Sequence, residues 1–588
     1  MVNAWPGACT DNGSMRIERR CTRLREIVAG SLYDETMKFT RLLALLGALA
    51  FSPPAPAQTA APVDLRILAI NDLHGYLQPP PGGIRIADPN DRTKTVTVPA
   101  GGVETMATVV TNLREGHRNA IFVAAGDLIG ASPFLSAMFH DEPTIESLSM
   151  MGLALSAVGN HEFDEGKDEL LRMQDGGCHP LDHCLGPHPF AGAKFHYLAA
   201  STFVKDTGKT LLPPYEIRSF DGIPVAFIGL ALKGTPEIVS PASSAGLEFR
   251  DEAETVNALV PELKAKGVEA IVVLIHEGGF PSGDYNECPG ISGPIVDIVR
   301  KLDKAVDVVI SGHTHRAYVC EIDGRLVTSA DKFGTLVTAI DLKLDPATRD
   351  VVSAKAENSI VRVGGYAKDA AQTALLDAYD KVAAPIANRR AGSVTATLSR
   401  VPNATGESVL GDVIADAQLE ATRSEANGGA IMALTNPGGI RIDIVKKGDG
   451  TVTFADVFAS QPFRNQLVTV TLTGTAIKAA LEQQWLDPTR PRILQISGGF
   501  SYAWDATKPY GEHVIAASMM LNGEPVAPDK TYRVTVNNYL FLGGDGFAAL
   551  KDGTRAQFGV YDSDALFAYF QANSPLQPSA GGRIAREN

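Results

Sequence analysis

Five apolar runs in this sequence each stop at a short cluster of side chains able to ligate a metal or move a proton. Leu65–Ile70 is followed by Asn71-Asp72-Leu73-His74, and Ile121–Ala125 by Gly126-Asp127. Leu153–Val158 leads into Gly159-Asn160-His161-Glu162, Ala270–Ile275 into His276-Glu277-Gly278-Gly279, and Val306–Ile310 into Ser311-Gly312-His313-Thr314-His315. Taken singly, these are ordinary turn residues, and a lone histidine is more often a hydrogen-bonded core residue than a ligand. Taken together, they point to one chemistry. Mixed Asp, Asn and His donors suit borderline divalent ions such as zinc or manganese rather than a thiolate site. The His-x-His pair is the strongest element, because two adjacent imidazoles are costly to hold unless a cation binds them. A carboxylate such as Asp127 can bridge two cations, and two ions ~3.5–4 Å apart form a clamp for in-line displacement at phosphorus.

These clusters must be positioned by the runs that precede them. The runs are apolar on both faces and alternate with helix-like stretches such as 253–266 and 294–304, which predicts an α/β layered domain with strands buried in a sheet covered by helices. In such sheets ligands bind beyond the carboxyl ends of the strands, so the five clusters can converge. This catalytic unit is expected over 58–362. An Ala-rich stretch predicts a linker helix over 363–390. A second α/β unit follows over 391–575, with strands near 467–472 and 532–537, and then a loose polar tail at 576–588.

The chain has 588 residues, enough for several domains. Its net charge of −14 argues against a nucleic-acid polymer as partner. Residues 42–51 read LLALLGALAF, preceded by Lys38 and Arg41 and followed by Ala55-Pro56-Ala57. A basic start, a short apolar run and an A-x-A site predict a signal peptide over 37–57, a mature protein beginning near Gln58, and a periplasmic or secreted location. Ten apolar residues are too few to span a bilayer, so no stable membrane insertion is expected. Residues 1–36 are expected to be an upstream extension. Cleavage would remove Cys9 and Cys21 and leave four of the six cysteines. An even count in an exported chain favours two disulfides. The small Cys178–Cys184 loop suggests one pair and leaves Cys288 with Cys320. Zinc held by Cys178 and Cys184 with His179 and His183 is the rival, although the spacing is wider than usual for zinc.

The second unit carries two Gly-rich turns beside polar groups: Asn436-Pro437-Gly438-Gly439-Ile440-Arg441, and Asn538-Tyr539-Leu540-Phe541-Leu542-Gly543-Gly544-Asp545-Gly546-Phe547. Glycine lets a ligand approach the backbone, and an arginine fork binds phosphate or carboxylate. On the residues alone, these are equally a pair of hairpin turns.

The ordered set D-x-H, G-D, G-N-H-E, H and G-H-x-H resembles the calcineurin-like metallophosphoesterase superfamily, most closely in INDLHGYL (70–77), GNHEFDEG (159–166) and SGHTHR (311–316). With N-x-G-G-I-R and G-G-D-G-F in the second unit, the chain from about 64 to 572 is similar to secreted bacterial 5'-nucleotidases and 2',3'-cyclic-nucleotide phosphodiesterases. The resemblance implies two divalent metal ions. Asp72, His74 and His315 would hold one, Asn160, His276 and His313 the other, and Asp127 would bridge them. Some relatives carry Gln at the position of His315. His161 would be the catalytic histidine, oriented by Asp164. In the second unit, Asn436 and Arg441 would contact a nucleotide substrate, and Phe463 and Tyr539 would sandwich its base. Asn465 would lie beside the base, Asp545 would bond the ribose hydroxyls, and Arg400 would take the place of a further family arginine, near a small insertion at 402–405. Relatives move the second domain to bring substrate to the metals. The implied activity is hydrolysis of nucleoside 5'-monophosphates. The nearby alternatives are a 2',3'-cyclic nucleotide, a UDP-sugar or NAD as substrate, and the more distant ones are sulfur-ester hydrolysis or non-catalytic binding.

Overall fold

The computed structural model describes residues 61–588. The expected upstream extension, signal peptide and mature start near Gln58 lie outside the described residues, as do Cys9 and Cys21.

The apolar runs of the first domain are divided between two sheets rather than gathered in one. The first has the order Val351–Ile360, Leu336–Leu344, Val63–Ile70, Ala120–Ala124, Leu153–Ala157, His196–Leu198. The second has the order Ala317–Ile322, Arg325–Ala330, Val308–Ser311, Ala270–Ile275, Ile223–Leu230, Tyr215–Phe220. The inner strands pair in parallel, and antiparallel strands lie toward the edges. Alternate residues explain the split. Leu65, Ile67, Val123 and Leu155 meet Val225, Phe227, Val272 and Ile310 in a core between the sheets. On the outer faces, Leu68, Ile70 and Phe122 pack under Val103–Arg114 and Glu142–Met150, and Ile228, Ile271 and Val309 pack under Glu252–Ala265 and Pro294–Lys301. A strand with one face on another sheet and the other on a helix has no polar face. That is why its sequence does not distinguish this packing from a single sheet covered on both sides.

The helix expected over 363–390 spans Ala370–Ala387, capped by Asp369, which accepts the N–H groups of Ala371 (3.0 Å) and Gln372 (2.9 Å). It packs on both domains: Gln372 exchanges hydrogen bonds with Ser147 of the first, and Tyr379 is fully buried in a cluster with Phe134 and Phe139 of the first and Phe458 of the second.

The second domain is built on a sheet ordered Gln495–Ile496, Met432–Thr435, Thr531–Asn537, Gln466–Thr473, Thr554–Tyr561. Met432–Thr435 and Thr531–Asn537 are parallel neighbours, so the two Gly-rich turns emerge side by side at their carboxyl ends. Residues 576–588, expected as a loose tail, are part of the fold. Ile584–Arg586 pairs with Phe500–Trp504, and Ile584 is buried. Arg583 forks onto Asp416 (2.7 and 2.8 Å), while Glu407 accepts the N–H groups of Gly582 and Arg583. Two buried apolar side chains, Leu576 and Ile584, and one paired arginine anchor a stretch whose composition is polar. Among the described residues, no helix is long and apolar enough to cross a membrane.

Candidate active site

The five polar clusters meet at the rim where the two sheets end. Asp72, His74, Asp127 and Asn160 come from the first sheet, and His276, His313 and His315 from the second. Five of these seven residues, Asp72, His74, Asp127, His313 and His315, adopt left-handed backbone with φ between 49° and 69°. Non-glycine residues rarely occupy this region, and they concentrate at functional sites. Here it turns each side chain from its strand end toward a common centre. Gly126 (φ 83°) shows how close the chains come, since a Cβ there would lie 2.6 Å from the nitrogen of Gly159 and 2.8 Å from His276 Nδ1.

Two groups of donors result, Asp72 with His74 and His315, and Asp127 with His276 and His313, and a third, His74 with Asp127 and His161, overlaps both. In the first, His74 Nε2 lies 3.0 Å from His315 Nε2 and 3.6 Å from Asp127 Oδ2, and His315 Nε2 lies 3.3 Å from Asp72 Oδ1. His74 Nδ1 donates to the carbonyl of Gly130 (2.9 Å), which leaves Nε2 free to accept a cation. In the second, His276 Nδ1 donates to Ala125 O (2.8 Å), and Nε2 lies 3.0 Å from Asp127 Oδ2 without the geometry of a hydrogen bond. His313 Nδ1 lies 3.0 Å from Asn160 Oδ1. This donor set fits divalent cations.

The electrostatics agree with that fit. Burial keeps His74 and His315 well below the ordinary imidazole range, and burial with His276 nearby lowers His313 to about 4, so all three present neutral nitrogen. Burial opposes charge on His276, but Asp127 and Asp72 more than offset it and raise its pKa to about 10. A field that draws a proton to this nitrogen also draws a metal cation.

His161 stands beside the cluster. Its Nδ1 lies 2.8 Å from Asp164 Oδ2, its backbone N–H donates to Asp127 Oδ1 (2.9 Å), and its ring centroid is 4.9 Å from that of His74. Burial works against its positive charge, yet Asp164 and Asp127 raise its pKa overall.

Sequence reasoning gave no role to Glu162 or Asn71. The buried Glu162 carboxylate accepts three backbone N–H groups, from Asp127 (2.9 Å), Leu128 (2.7 Å) and Gly159 (2.6 Å), and so ties two ligand loops together. Asn71 donates to Asp72 Oδ2 at 2.7 Å and orients it. Each lies next to a ligand in a cluster already noted, which is the signal that could have drawn attention to them.

The second domain reaches the same centre. Phe463 stacks on His161, with centroids 5.7 Å apart and 18° between planes, and the Arg441 guanidinium lies 5.6 Å from the Phe463 ring centroid. Arg400 Nη1 donates to the carbonyl of Ile440 (3.1 Å), which places Arg400 next to Arg441. Asn436 Nδ2 donates to Asp545 Oδ2 (2.9 Å), and Tyr539 Oη donates to Asp545 Oδ1 (3.1 Å). No direct ring contact joins Phe463 to Tyr539 among the described residues. Asn465 is held by its carbonyl, which accepts Asp562 N–H at 2.8 Å. A cavity of about 460 Å³ opens beside Asp545, lined by Arg490, Arg492 and Lys551, and not on the histidine cluster itself.

Cys178 is bonded to Cys184 and Cys288 to Cys320, as expected. The rival zinc site is thereby removed, because the two sulfurs it needs are bonded to each other.

Fold and site define an α/β phosphoesterase with a separate second domain. Residues 65–317 match the calcineurin-like phosphoesterase family, and residues 385–552 match the 5'-nucleotidase C-terminal domain. Cell wall protein Lmo0130 of Listeria monocytogenes is 32% identical over 576 residues, covering 92% of this chain and 71% of that protein. Endonuclease YhcR of Bacillus subtilis is 34% identical over 525 residues, covering 89% of this chain but only 41% of that protein, so this chain spans less than half of its length. The crystal structure of a 5'-nucleotidase precursor from Thermus thermophilus superposes with a TM-score of 0.72 at 27% identity, covering 89% of this chain and 99% of that one. The chain belongs to the 5'-nucleotidase family, a family of phosphoester hydrolases.

Proposed function

We propose that this protein is an exported, two-metal hydrolase that releases phosphate from nucleoside 5'-monophosphates. One observation carries the proposal: two donor groups meet at Asp127, with the His161–Asp164 pair on one side and Arg441 and Phe463 of the nucleotidase-type domain on the other. Asp72, His74 and His315 would hold one divalent cation of the zinc or manganese class, Asn160, His276 and His313 the second, and Asp127 would bridge. Such ions supply Lewis-acid charge for in-line displacement at phosphorus.

The protein's own residues do the rest. Arg441 and Arg400 attract and orient the phosphoryl group. His161, held by Asp164 through Nδ1, turns Nε2 toward the substrate and gives its proton to a phosphoryl oxygen or to the departing 5'-oxygen. Asn436 and Asp545 hold the nucleoside, and Phe463 and Tyr539 offer π-faces to the base. Asn465 braces the start of the strand that follows Phe463.

The name of the Thermus relative supports the nucleotide class, and the acidic charge of this chain disfavours the polymer substrate named for YhcR. Two disulfides, the signal-like segment and a relative named as a cell wall protein support export. The test is a substrate panel of 5'-monophosphates, 2',3'-cyclic nucleotides, UDP-sugars and NAD on metal-loaded protein, scoring phosphate against nucleoside. Equimolar nucleoside and phosphate from the 5'-monophosphates is the expected result, and turnover confined to the cyclic or pyrophosphate substrates would overturn it.

A further inference from the structure

Asp141 stands where a helix cap is expected and does not cap. It precedes the helix Glu142–Met150, and its carbonyl accepts the N–H groups of Thr144 (3.0 Å) and Ile145 (3.2 Å). An aspartate at this position ordinarily turns its carboxylate back onto the first N–H groups of the helix. Here no such bond forms, and the backbone is left-handed with φ 63°. The buried carboxylate turns instead toward the candidate metal cluster. Oδ2 accepts the N–H of Gly130 (3.0 Å), and Oδ1 accepts the hydroxyl of Ser136 (2.6 Å). His140 anchors the other side of the turn. Its ring nitrogens lie 2.8 Å from Glu165 Oε2 and 3.1 Å from Asp182 Oδ2, the latter on the loop closed by Cys178 and Cys184.

Gly130 passes this contact on. Its N–H meets Asp141, and its carbonyl accepts His74 Nδ1 (2.9 Å). The space around it is full. A Cβ on Gly130 (φ 80°) would lie 2.6 Å from the carbonyl oxygen of His161 and 2.8 Å from Asp164 Oδ2, and a Cβ on Gly75, the neighbour of His74, would lie 2.8 Å from Asp141 Oδ1. The carboxylate therefore abuts both the residue that follows His74 and the residue that His74 bonds. This matters for the proton on the ring. An imidazole that donates through Nδ1 keeps the lone pair of Nε2 for a cation, and the acceptor at Nδ1 decides that choice. At the other end, Nε2 faces carboxylate oxygens of Asp127 at 3.6 Å and Asp72 at 3.8 Å. Without a fixed acceptor at Nδ1, these two carboxylates draw the proton to Nε2 and block it.

We propose that Asp141 is a positioning residue for His74: acting through Gly130, it holds the ring in its Nδ1-protonated form and direction, and so keeps Nε2 available to a cation. The inference rests on the reading of His74 as a metal ligand. It goes beyond that reading by naming the group, outside the seven candidate ligands, that sets the proton on one of them.

The experiment reads that proton directly. The His74 tautomer is measured by NMR on metal-stripped protein carrying isotope-labelled histidine, with the signals assigned by their loss in His74→Gln. Zinc affinity is then measured by competition with a chelator, and melting temperatures control for folding. Wild type should show Nδ1 protonated and Nε2 bare. Asp141→Asn keeps an acceptor for the Gly130 N–H and should match wild type. Asp141→Ala should move protonation toward Nε2 and weaken one zinc site by about 10–100-fold. Ser136→Ala frees one carboxylate oxygen, should move both readings the same way by less, and stands in where Asp141→Ala does not fold. A wild-type tautomer and wild-type zinc affinity in the folded variant would overturn the assignment, whatever its melting temperature. Wild-type protein that binds no zinc would overturn the ligand reading of His74 and the role of Asp141 with it, whereas an unmoved tautomer beside normal zinc binding overturns the role of Asp141 alone.

Discussion

Phe463 lies flat against His161, 18° from parallel at 5.7 Å, so an aromatic ring of the second domain covers the candidate catalytic histidine of the first. The contact would link substrate choice to chemistry, because the ring proposed to meet the nucleotide base is also the ring stacked on the proposed proton donor. If Phe463 is a base platform, Phe463→Ala should lower kcat/KM for a 5'-nucleotide by about five- to 150-fold, from the ~1–3 kcal/mol of one base–aromatic stack. A small phosphate ester without a base should lose much less. The same ratio for Tyr539→Ala separates a base contact from a core role, since a core residue would depress both substrates together and lower the melting temperature.

His161 is expected to act on protons and not on metals. His161→Ala should retain its metal content and lose about 10²–10⁴-fold in kcat. Asp164→Asn, which keeps the hydrogen-bonding shape at 2.8 Å but removes the charge, should shift the pH profile of kcat/KM as well as its height. Metal content is read by elemental analysis of the same samples. Full kcat in His161→Ala would remove it from the chemistry.

Glu162 is the brace of the site. Three backbone N–H groups from the Asp127 and Asn160 loops converge on its carboxylate. Glu162→Ala leaves those buried donors unsatisfied, and it should cost ~1–3 kcal/mol of stability. It should also weaken retention of the metals by about 10–100-fold, the usual effect of removing a supporting contact. Chelator titration followed by activity gives the second quantity. A variant that melts lower yet holds metal as tightly as wild type would limit Glu162 to folding.

The convergence of these side chains was legible because a buried strand must end before a polar residue can begin, and so the clusters of candidate ligands stand out after each apolar run. The two disulfides were legible from an even count and one short loop. The division of the strands between two sheets was not, since strands buried on both faces read alike whatever covers them. Nor did the sequence show the left-handed backbone at Asp72, His74, Asp127, His313 and His315, because nothing in these residue types demands it. The Phe463–His161 contact depends on how the chain brings distant segments together, and no local pattern encodes that. The segment after 575 misled because composition counts charges and prolines, while its order depends on the pairing of Arg583 with Asp416 and the burial of Ile584.

Away from the active site, Asp307 predicts a pH dependence of stability. Its carboxylate accepts Ile271 N–H (2.8 Å), and burial first, then Asp350, raises its pKa to about 8. The folded protein therefore keeps a proton that the unfolded chain releases near pH 4. The stability contributed by this group is complete below about pH 4 and is lost as the pH rises to about 8. Asp307→Asn keeps an acceptor for Ile271 and cannot ionise, so its melting temperature should exceed that of wild type by more at pH 8.5 than at pH 5. An equal offset at both pH values would mean that Asp307 ionises in the folded protein much as it does in the unfolded chain.

If these seven side chains hold two cations, release of phosphate from a nucleotide depends on both of them. The most direct measurement is phosphate release from a nucleoside 5'-monophosphate as metal-stripped protein is titrated with zinc or manganese, with bound metal counted at each point. Stripped protein should show no activity, activity should rise to a plateau at about two ions per chain, and Asp127→Ala and His313→Ala should show neither retention nor plateau. Undiminished phosphate release from fully stripped protein would contradict it, as would two bound ions and no phosphate from any nucleotide.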